Sequence, residues 1–252
     1  QNDTAPEHGT LVAVEGEADE YYDMTQIRSE EIVECGEAPL PEPLDVTFPI
    51  NEATFAGMES MRVNVAEAVV LETYQFGRYG ETVVGPERQF QPTAIHSPAS
   101  AEAQALYESN MANRITIDDR RSDQNPDLAM HLNGEEFTVD NYFRGGDTFR
   151  DITGVLDYRF DEWKIQQTEG AEHVPNLERP EVPEVGGDVS VAAFNVLNYF
   201  TTMGSRGAEN AEEFERQEAK IASAILEMDA DVLGLMEIEN NNGVAVNTPV
   251  DA

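Results

Sequence analysis

Asn195 and Glu237 are the residues whose type and setting come closest to chemistry. Each directly follows an apolar residue, Phe194 and Met236, at the end of an apolar run. A carboxylate that ends a buried strand needs a partner or a cation. Glu239 comes two positions later, on the same face if the strand continues. Oxygen donors of this kind suit a hard divalent cation. A carboxamide beside them can orient a phosphate oxygen without adding negative charge. The same residues also have plainer readings. Asn near a strand end is a common turn former, and a Glu there is commonly just solvated.

The elements that would carry these residues follow from hydrophobic pattern. Asp188–Asn198 holds Val189, Val191, Ala192, Ala193 and Phe194, as expected of a strand covered on both faces. Ala211–Met228 places Phe214, Ile221, Ile225 and Met228 at helical spacing, with Glu212, Glu213 and Glu215 near its start, where the helix dipole favours them. Asp231–Ile238 is a second buried strand. Strand, helix and strand make a βαβ unit, which implies a parallel pair with a right-handed crossover. Ligands gather beyond the carboxyl ends of such strands, where Asn195 and Glu237 fall.

Upstream the chain is β-rich. Val174-Pro175, Arg179-Pro180, Val182-Pro183 and Gly186-Gly187 make residues 168–187 a linker. Residues 46–167 form a module with strands at Met61–Leu71, Thr82–Val84, Ile115–Ile117, Thr148–Leu156 and Trp163–Gln166. Ser100–Asn113 is its helical candidate, with Ala103, Leu106, Tyr107 and Met111 on one side. Residues 1–45 hold two strands over 10–34 and end in the joint Pro39-Leu40-Pro41-Glu42-Pro43. An internal echo aligns Val14–Asp19 with Ile152–Asp157, Tyr22 with Phe160, Asp23 with Asp161 and Ile27 with Ile165. A glycine sits inside both strands, as in a coiled barrel wall. Both pairs read as parts of oligonucleotide-binding-type barrels, against the alternative of two hairpins alike by chance.

Composition narrows the partners. Fifty acids against 15 bases give a net charge of -35, the reverse of a basic nucleic-acid footprint. Such a surface repels phosphate at low salt, and salt screens it over a few Å. The chain therefore either never meets nucleic acid or comes from a marine or salt-adapted bacterium, and the site residues favour the second. No apolar run is long enough to cross a bilayer, so no membrane insertion is expected. The start at Gln1 suggests a missing or processed N-terminus. Cys35 stands alone and reads as a buried or incidental thiol, excluding an internal disulfide. His8, His96, His131 and His173 are scattered singly and read as surface or turn residues.

Longer motifs add a resemblance. Val191–Phe200, Arg216-Gln217 with Lys220-Ile221, and Asp229–Asn240 resemble the first strand, first helix and second strand of the endonuclease/exonuclease/phosphatase superfamily, which includes pancreatic deoxyribonuclease. ExeM/NucH-type bacterial extracellular nucleases are similar over more of the chain. The likeness includes Gln75–Gly80, Gln91-Pro92-Thr93, Asn113-Arg114-Ile115 with Asp118-Asp119, and Thr153–Tyr158. It continues in Arg206-Gly207-Ala208 and Glu213–Gln217. The resemblance implies a mixed fold, with β-rich oligonucleotide-binding-like barrel modules before the N-terminal βαβ portion of an α/β-sandwich phosphodiesterase domain. It makes 1–45 the end of one barrel module, 46–167 a second, 168–187 a linker, and 188–252 an N-terminal fragment of the catalytic domain. Glu237 matches the carboxylate that binds the catalytic metal, and Asn195 matches the asparagine that holds the scissile phosphate and the metal. Glu239 is a possible additional ligand. The expected metal is magnesium, with calcium or manganese as alternatives.

The resemblance departs at the end of the chain. The family's catalytic histidines and later Asp/Asn pairs fall beyond Ala252, and Asn241–Ala252 loses the family pattern. The implied activity is hydrolysis of phosphodiester bonds in extracellular DNA, ahead of RNA, by a secreted or periplasmic enzyme. A fragment that stops after the first βαβ unit would be inactive alone. Two alternatives remain: a non-catalytic secreted binding or surface module, and a superfamily member acting on a phosphoester that is not nucleic acid.

Overall fold

The computed structural model of the chain describes residues 6–22, 24–121, 123–176, 180–181 and 183–239. Asp23 of the internal echo, Arg179 and Val182 of the linker, and Asn240 with the tail Asn241–Ala252 lie outside the described residues. The chain divides into two compact units, Gln1–Glu178 and Arg179–Ala252.

The first unit opens with β1 (Thr10–Tyr21) and β2 (Met24–Glu37), paired antiparallel. After them come β3 (Leu44–Asp45), α1 (Glu52–Ala56), β4 (Arg62–Glu72), α2 (Phe76–Tyr79) and β5 (Thr82–Gly85). Next are α3 (Pro92–Ile95), α4 (Ala101–Ala112), β6 (Ile115–Asp118), β7 (Thr148–Arg159), β8 (Glu162–Gln167) and β9 (Glu172–Val174). The central strands run in the order β4-β5-β6-β8-β7, and β7 pairs back to β4. That last pairing closes a five-stranded barrel. β6 and β8 are parallel, and the other barrel pairs are antiparallel. Closure gives each of these strands a neighbour on both sides and removes the open edges that invite misassembly.

The sequence explains the barrel. β-branched residues that fit a pleated, half-buried surface dominate its strands. Val63, Val65, Val70, Val84, Ile115, Ile117, Phe149, Ile152, Leu156 and Ile165 point inward and form one buried core. Burying each such side chain is worth about 1.5–3 kcal/mol. Gly154 is required by close approach, since a Cβ there would lie 2.4 Å from the Gln166 carbonyl oxygen on β8. Ser100 caps α4 by accepting the Ala103 N–H at 3.1 Å, which fixes the helix start. Ala103 is buried, while Tyr107 and Met111 are exposed, so the expected apolar side of this helix is mostly uncovered.

Three expectations need correction. The region 168–187 is not all linker, because β9 pairs antiparallel with β7 from Thr148↔Val174 to Arg150↔Glu172. Asp147 anchors that strand: its carboxylate meets His173 Nε2 at 3.1 Å and accepts the Asn176 N–H at 2.9 Å. His131 and His173 are not scattered surface residues. His131 is 1% exposed, and its ring centroid lies 5.0 Å from that of His173 and 5.4 Å from that of Phe149. Cys35 is exposed on β2, so of its two readings the buried thiol falls and the incidental one stands.

The second unit holds β10 (Val191–Tyr199), α5 (Ala211–Met228) and β11 (Val232–Ile238). β10 and β11 pair in parallel from Val191↔Val232 to Asn195↔Met236. Two bonds fix the helix start: Asn210 Oδ1 accepts the Glu213 N–H and Glu213 Oε2 accepts the N–H of Glu209, the residue before the cap, both at 3.0 Å. Its end turns on Asp229, which adopts a left-handed φ of 42°. The strands are not buried on both faces as their apolar runs suggest. Val191, Leu197, Val232 and Met236 are exposed, because among the described residues one helix and one neighbouring strand are all that cover them.

Candidate functional site

The carboxyl ends of β10 and β11 bring the two expected residues together. Asn195 Nδ2 donates to Glu237 Oε1 at 2.7 Å. Asn195 Oδ1 accepts the Leu197 N–H at 2.9 Å, and Glu237 Oε2 accepts the Asn198 N–H at 3.2 Å. The parallel register breaks here, passing from Asn195↔Met236 to Tyr199↔Ile238. Leu197 (φ 55°), Asn198 (φ 52°) and Glu237 (φ 66°) all lie in the left-handed region at this break. A non-glycine residue held in that region costs on the order of 1–3 kcal/mol, and such strain clusters at functional sites. The hydrogen bonds of Asn195 and Glu237 are what hold the strained turn. From α5, Gln217 Nε2 adds donations to the Val196 and Leu197 carbonyls at 3.1 and 2.7 Å.

Glu239 is engaged differently. It accepts the Thr201 N–H at 2.9 Å, the Thr201 hydroxyl at 2.7 Å, the Thr202 N–H at 3.2 Å and the Thr202 hydroxyl. Hydrogen bonds from Thr202 and Thr201 hold its carboxyl below the usual carboxylate range. These contacts tie the loop after β10 to the end of β11, and they occupy most of the lone pairs that a cation would need. At the opposite ends of the strands, the Ser190 N–H and hydroxyl bond the Asp231 carboxylate at 2.8 and 3.1 Å. Both interactions depress the Asp231 pKa.

The Asn195–Glu237 pair fits one share of a divalent-cation shell. Each carboxylate oxygen of Glu237 takes one hydrogen bond and keeps acceptor capacity for a cation. One Asn195 amide hydrogen goes to Glu237, and among the described residues the second has no acceptor and could meet a phosphate oxygen. Among the described residues, no three acidic, histidine or cysteine side chains gather as a metal group. Among the described residues Glu237 would therefore be the one acidic ligand, supplying one position of a shell that magnesium commonly completes with water and substrate oxygens.

The first unit carries a second feature, which sequence reading missed. A hollow of about 610 Å³ on the barrel wall is lined by Tyr79, Arg120, Arg121, Arg159, Phe160 and Lys164, together with Glu81, Asp118 and Glu162. Four of the chain's 15 bases meet here beside three lining carboxylates, which offsets locally the repulsion that a chain of net charge -35 presents to phosphate. Burial pushes the Asp118 carboxyl up. Burial works against the Lys164 charge, but Glu81, Glu162 and Asp118 outweigh it and hold its pKa high. Arg121 pairs with Asp119 at 2.7 Å and Arg159 with Asp157 at 2.5 Å. The available signal was Lys164 itself, one of two lysines in the chain, next to the core residue Ile165 on a short β strand.

A family model described as a domain of unknown function (DUF8508) matches residues 54–178, which span the barrel and β9. No curated protein and no solved structure matches the chain.

Proposed function

We propose that the chain belongs to a secreted, metal-dependent phosphodiesterase that hydrolyses extracellular nucleic acid, DNA ahead of RNA. On this reading, the β10-α5-β11 unit is the opening of an α/β-sandwich domain of the endonuclease/exonuclease/phosphatase kind. The barrel is an oligonucleotide-binding-type module, a reading favoured by its strand order and its parallel β6–β8 pair. The observation that carries the proposal is the 2.7 Å bond from Asn195 to Glu237 at the carboxyl ends of two parallel strands, with Glu237 and the neighbouring Leu197 and Asn198 held in left-handed backbone. A strained carboxylate–carboxamide pair at that edge is expensive unless it has work to do.

A magnesium ion bound there would polarise the phosphate and stabilise the departing oxygen. Glu237 would hold the ion through an oxygen lone pair left over from its hydrogen bonds. Asn195 would orient Glu237 with one amide hydrogen and a phosphate oxygen with the other. Gln217 would keep the turn between them fixed. The proposed enzyme needs a general base, and none of the four histidines lies in residues 188–252. The 252-residue chain alone is accordingly expected to be inactive.

The hollow beside Arg159 and Lys164 favours a second reading, a non-catalytic module that binds an anionic polymer. Plasmid DNA, RNA and a simple phosphomonoester, each incubated with the natural full-length protein and magnesium, separate the two. Magnesium-dependent cutting of DNA is the expected result. Binding of DNA with no cleavage of any substrate would leave the module, and turnover of the phosphomonoester alone would move the chain to another branch of the superfamily.

A further inference from the structure

We propose that residues 10–37 are the fourth and fifth strands of another five-stranded barrel, whose first three strands come from polypeptide on the N-terminal side of the hairpin. β1–β2 and β7–β8 are the same hairpin in register. Tyr21↔Met24, Asp19↔Gln26 and Ala18↔Ile27 of the first correspond to Arg159↔Glu162, Asp157↔Lys164 and Leu156↔Ile165 of the second. Both turn through an aromatic residue with positive φ, Tyr22 at 49° and Phe160 at 56°. The glycines correspond as well. A Cβ on Gly16 would lie 2.3 Å from the Arg28 carbonyl oxygen, and one on Gly154 would lie 2.4 Å from that of Gln166.

Burial is where the two hairpins differ. Phe149, Ile152, Leu156 and Ile165 are fully buried in the barrel. Their counterparts Leu11, Val14, Ala18 and Ile27 are all apolar, yet Leu11 is 51%, Val14 42% and Ile27 59% exposed. A hairpin kept apolar at each of these inward positions, with no core beneath it among the described residues, is built to meet one. The edges carry the same message. β7 is flanked by β4, and β8 is flanked by β6 through Thr116↔Lys164, Ile117↔Ile165 and Asp118↔Gln166. The equivalent stretch of β2, Gln26–Arg28, has no further strand beside it among the described residues.

The missing neighbour is thus a three-stranded sheet of the β4-β5-β6 kind. In the complete barrel those strands precede the hairpin in the chain, and the repeat carries that order over. A second copy of this hairpin fits poorly. Nine acids against Arg28 alone would set like charges opposite one another.

Hydrogen exchange read by mass spectrometry tests the proposal on the 252-residue chain and on the natural chain extended upstream. The extension should slow exchange at Leu11–Ala18 and Gln26–Arg28 at least tenfold. Ile27→Asp should undo that protection while leaving the barrel's own melting unchanged. Equal exchange in the two chains would overturn the proposal. So would protection in the 252-residue chain that grows with protein concentration, which would mark a second copy. A natural chain with too few residues ahead of the hairpin for three strands would also overturn it, given that β4 to β6 occupy Arg62–Asp118. Neither Asn195 nor Glu237 enters, so a failed nuclease assay leaves this result independent.

Discussion

In the barrel, each strand from β4 to β8 is hydrogen-bonded on both sides, whereas among the described residues β10 and β11 have only each other. The barrel core contains twelve apolar side chains at 2% exposure or less, but α5 has no buried residue among those described. Yet the open unit carries the strained turn and the carboxylate–carboxamide pair, while the closed one carries ordinary inward-facing valines and isoleucines. Closure supplies stability, and an open sheet edge exposes strand ends where ligands can approach. A two-stranded unit of this kind is marginal on its own, so its stability should depend on local devices such as the α5 cap and the Gln217 bonds.

The largest expected contrast is in core truncation. Leu156→Ala, at a fully buried barrel position, should destabilise the first unit by about 2–5 kcal/mol. Leu226→Ala, at a position 79% exposed on α5, should change stability by no more than about 0.5 kcal/mol. Urea unfolding of both variants checks the pair, and equal losses would erase the distinction between the units.

A smaller effect concerns the barrel's C-terminal border. A piece ending at 167 lacks β9 and leaves Asp147 without His173 and Asn176. Hydrogen bonds to a charged group are worth about 1.5–3 kcal/mol each. Residues 46–176 should therefore melt several degrees above residues 46–167, and coincident thermal transitions would show that β9 adds nothing.

The cap of α5 comes next. Asn210→Ala should cost about 1 kcal/mol, seen as faster amide exchange in the first turn of α5 with no change in the barrel. Exchange rates that stay the same there would mean the helix is held by something other than its cap.

The gentlest effect is a graded one with pH. Burial lowers the pKa of His131, whose Nδ1 accepts the Asn133 N–H at 2.9 Å and so favours the neutral ring. The unfolded chain takes up that proton below about pH 6.5, so barrel stability should decline as pH falls through that point. For Asp147, burial opposes the charge, but bonds from Asn176, Arg144 and His173 outweigh it and lower the pKa. Its contribution is present above the usual carboxylate range and is lost as pH falls through the depressed folded value. His131→Gln should flatten the first decline and leave the second. A melting temperature constant from pH 8 to pH 4 would contradict the His131 assignment, and one that stays constant as the pH is taken further down, from about 4 to about 2, would contradict the Asp147 assignment.

Local pattern made much of this legible in the sequence. The β-branched runs marked the barrel strands, and Ala211–Met228 was bounded to the residue by its amphipathic spacing. The glycine echo pointed to two matching hairpins before any register was known. Asn195 and Glu237 were findable because each is a polar residue that ends an apolar run. The His131–His173–Asp147 cluster was not legible, since its members meet only when β9 folds back on β7. β9 itself is three residues long beside Pro175, too short for periodicity to register. The exposure of β10 and β11 was hidden for another reason. An apolar run shows what a strand is suited to meet and says nothing of how much cover surrounds it.

The nuclease reading rests on Glu237, and plasmid cleavage by the natural full-length protein at limiting magnesium tests it most directly. Glu237→Gln keeps the shape of the side chain and removes its charge. Losing one such electrostatic group typically costs about 2.7–4 kcal/mol of transition-state stabilisation. The expected result is a fall in rate of about 100- to 1,000-fold, with a folded protein and a raised magnesium requirement. Wild-type cleavage by Glu237→Gln at limiting magnesium would contradict the metal role assigned to Glu237.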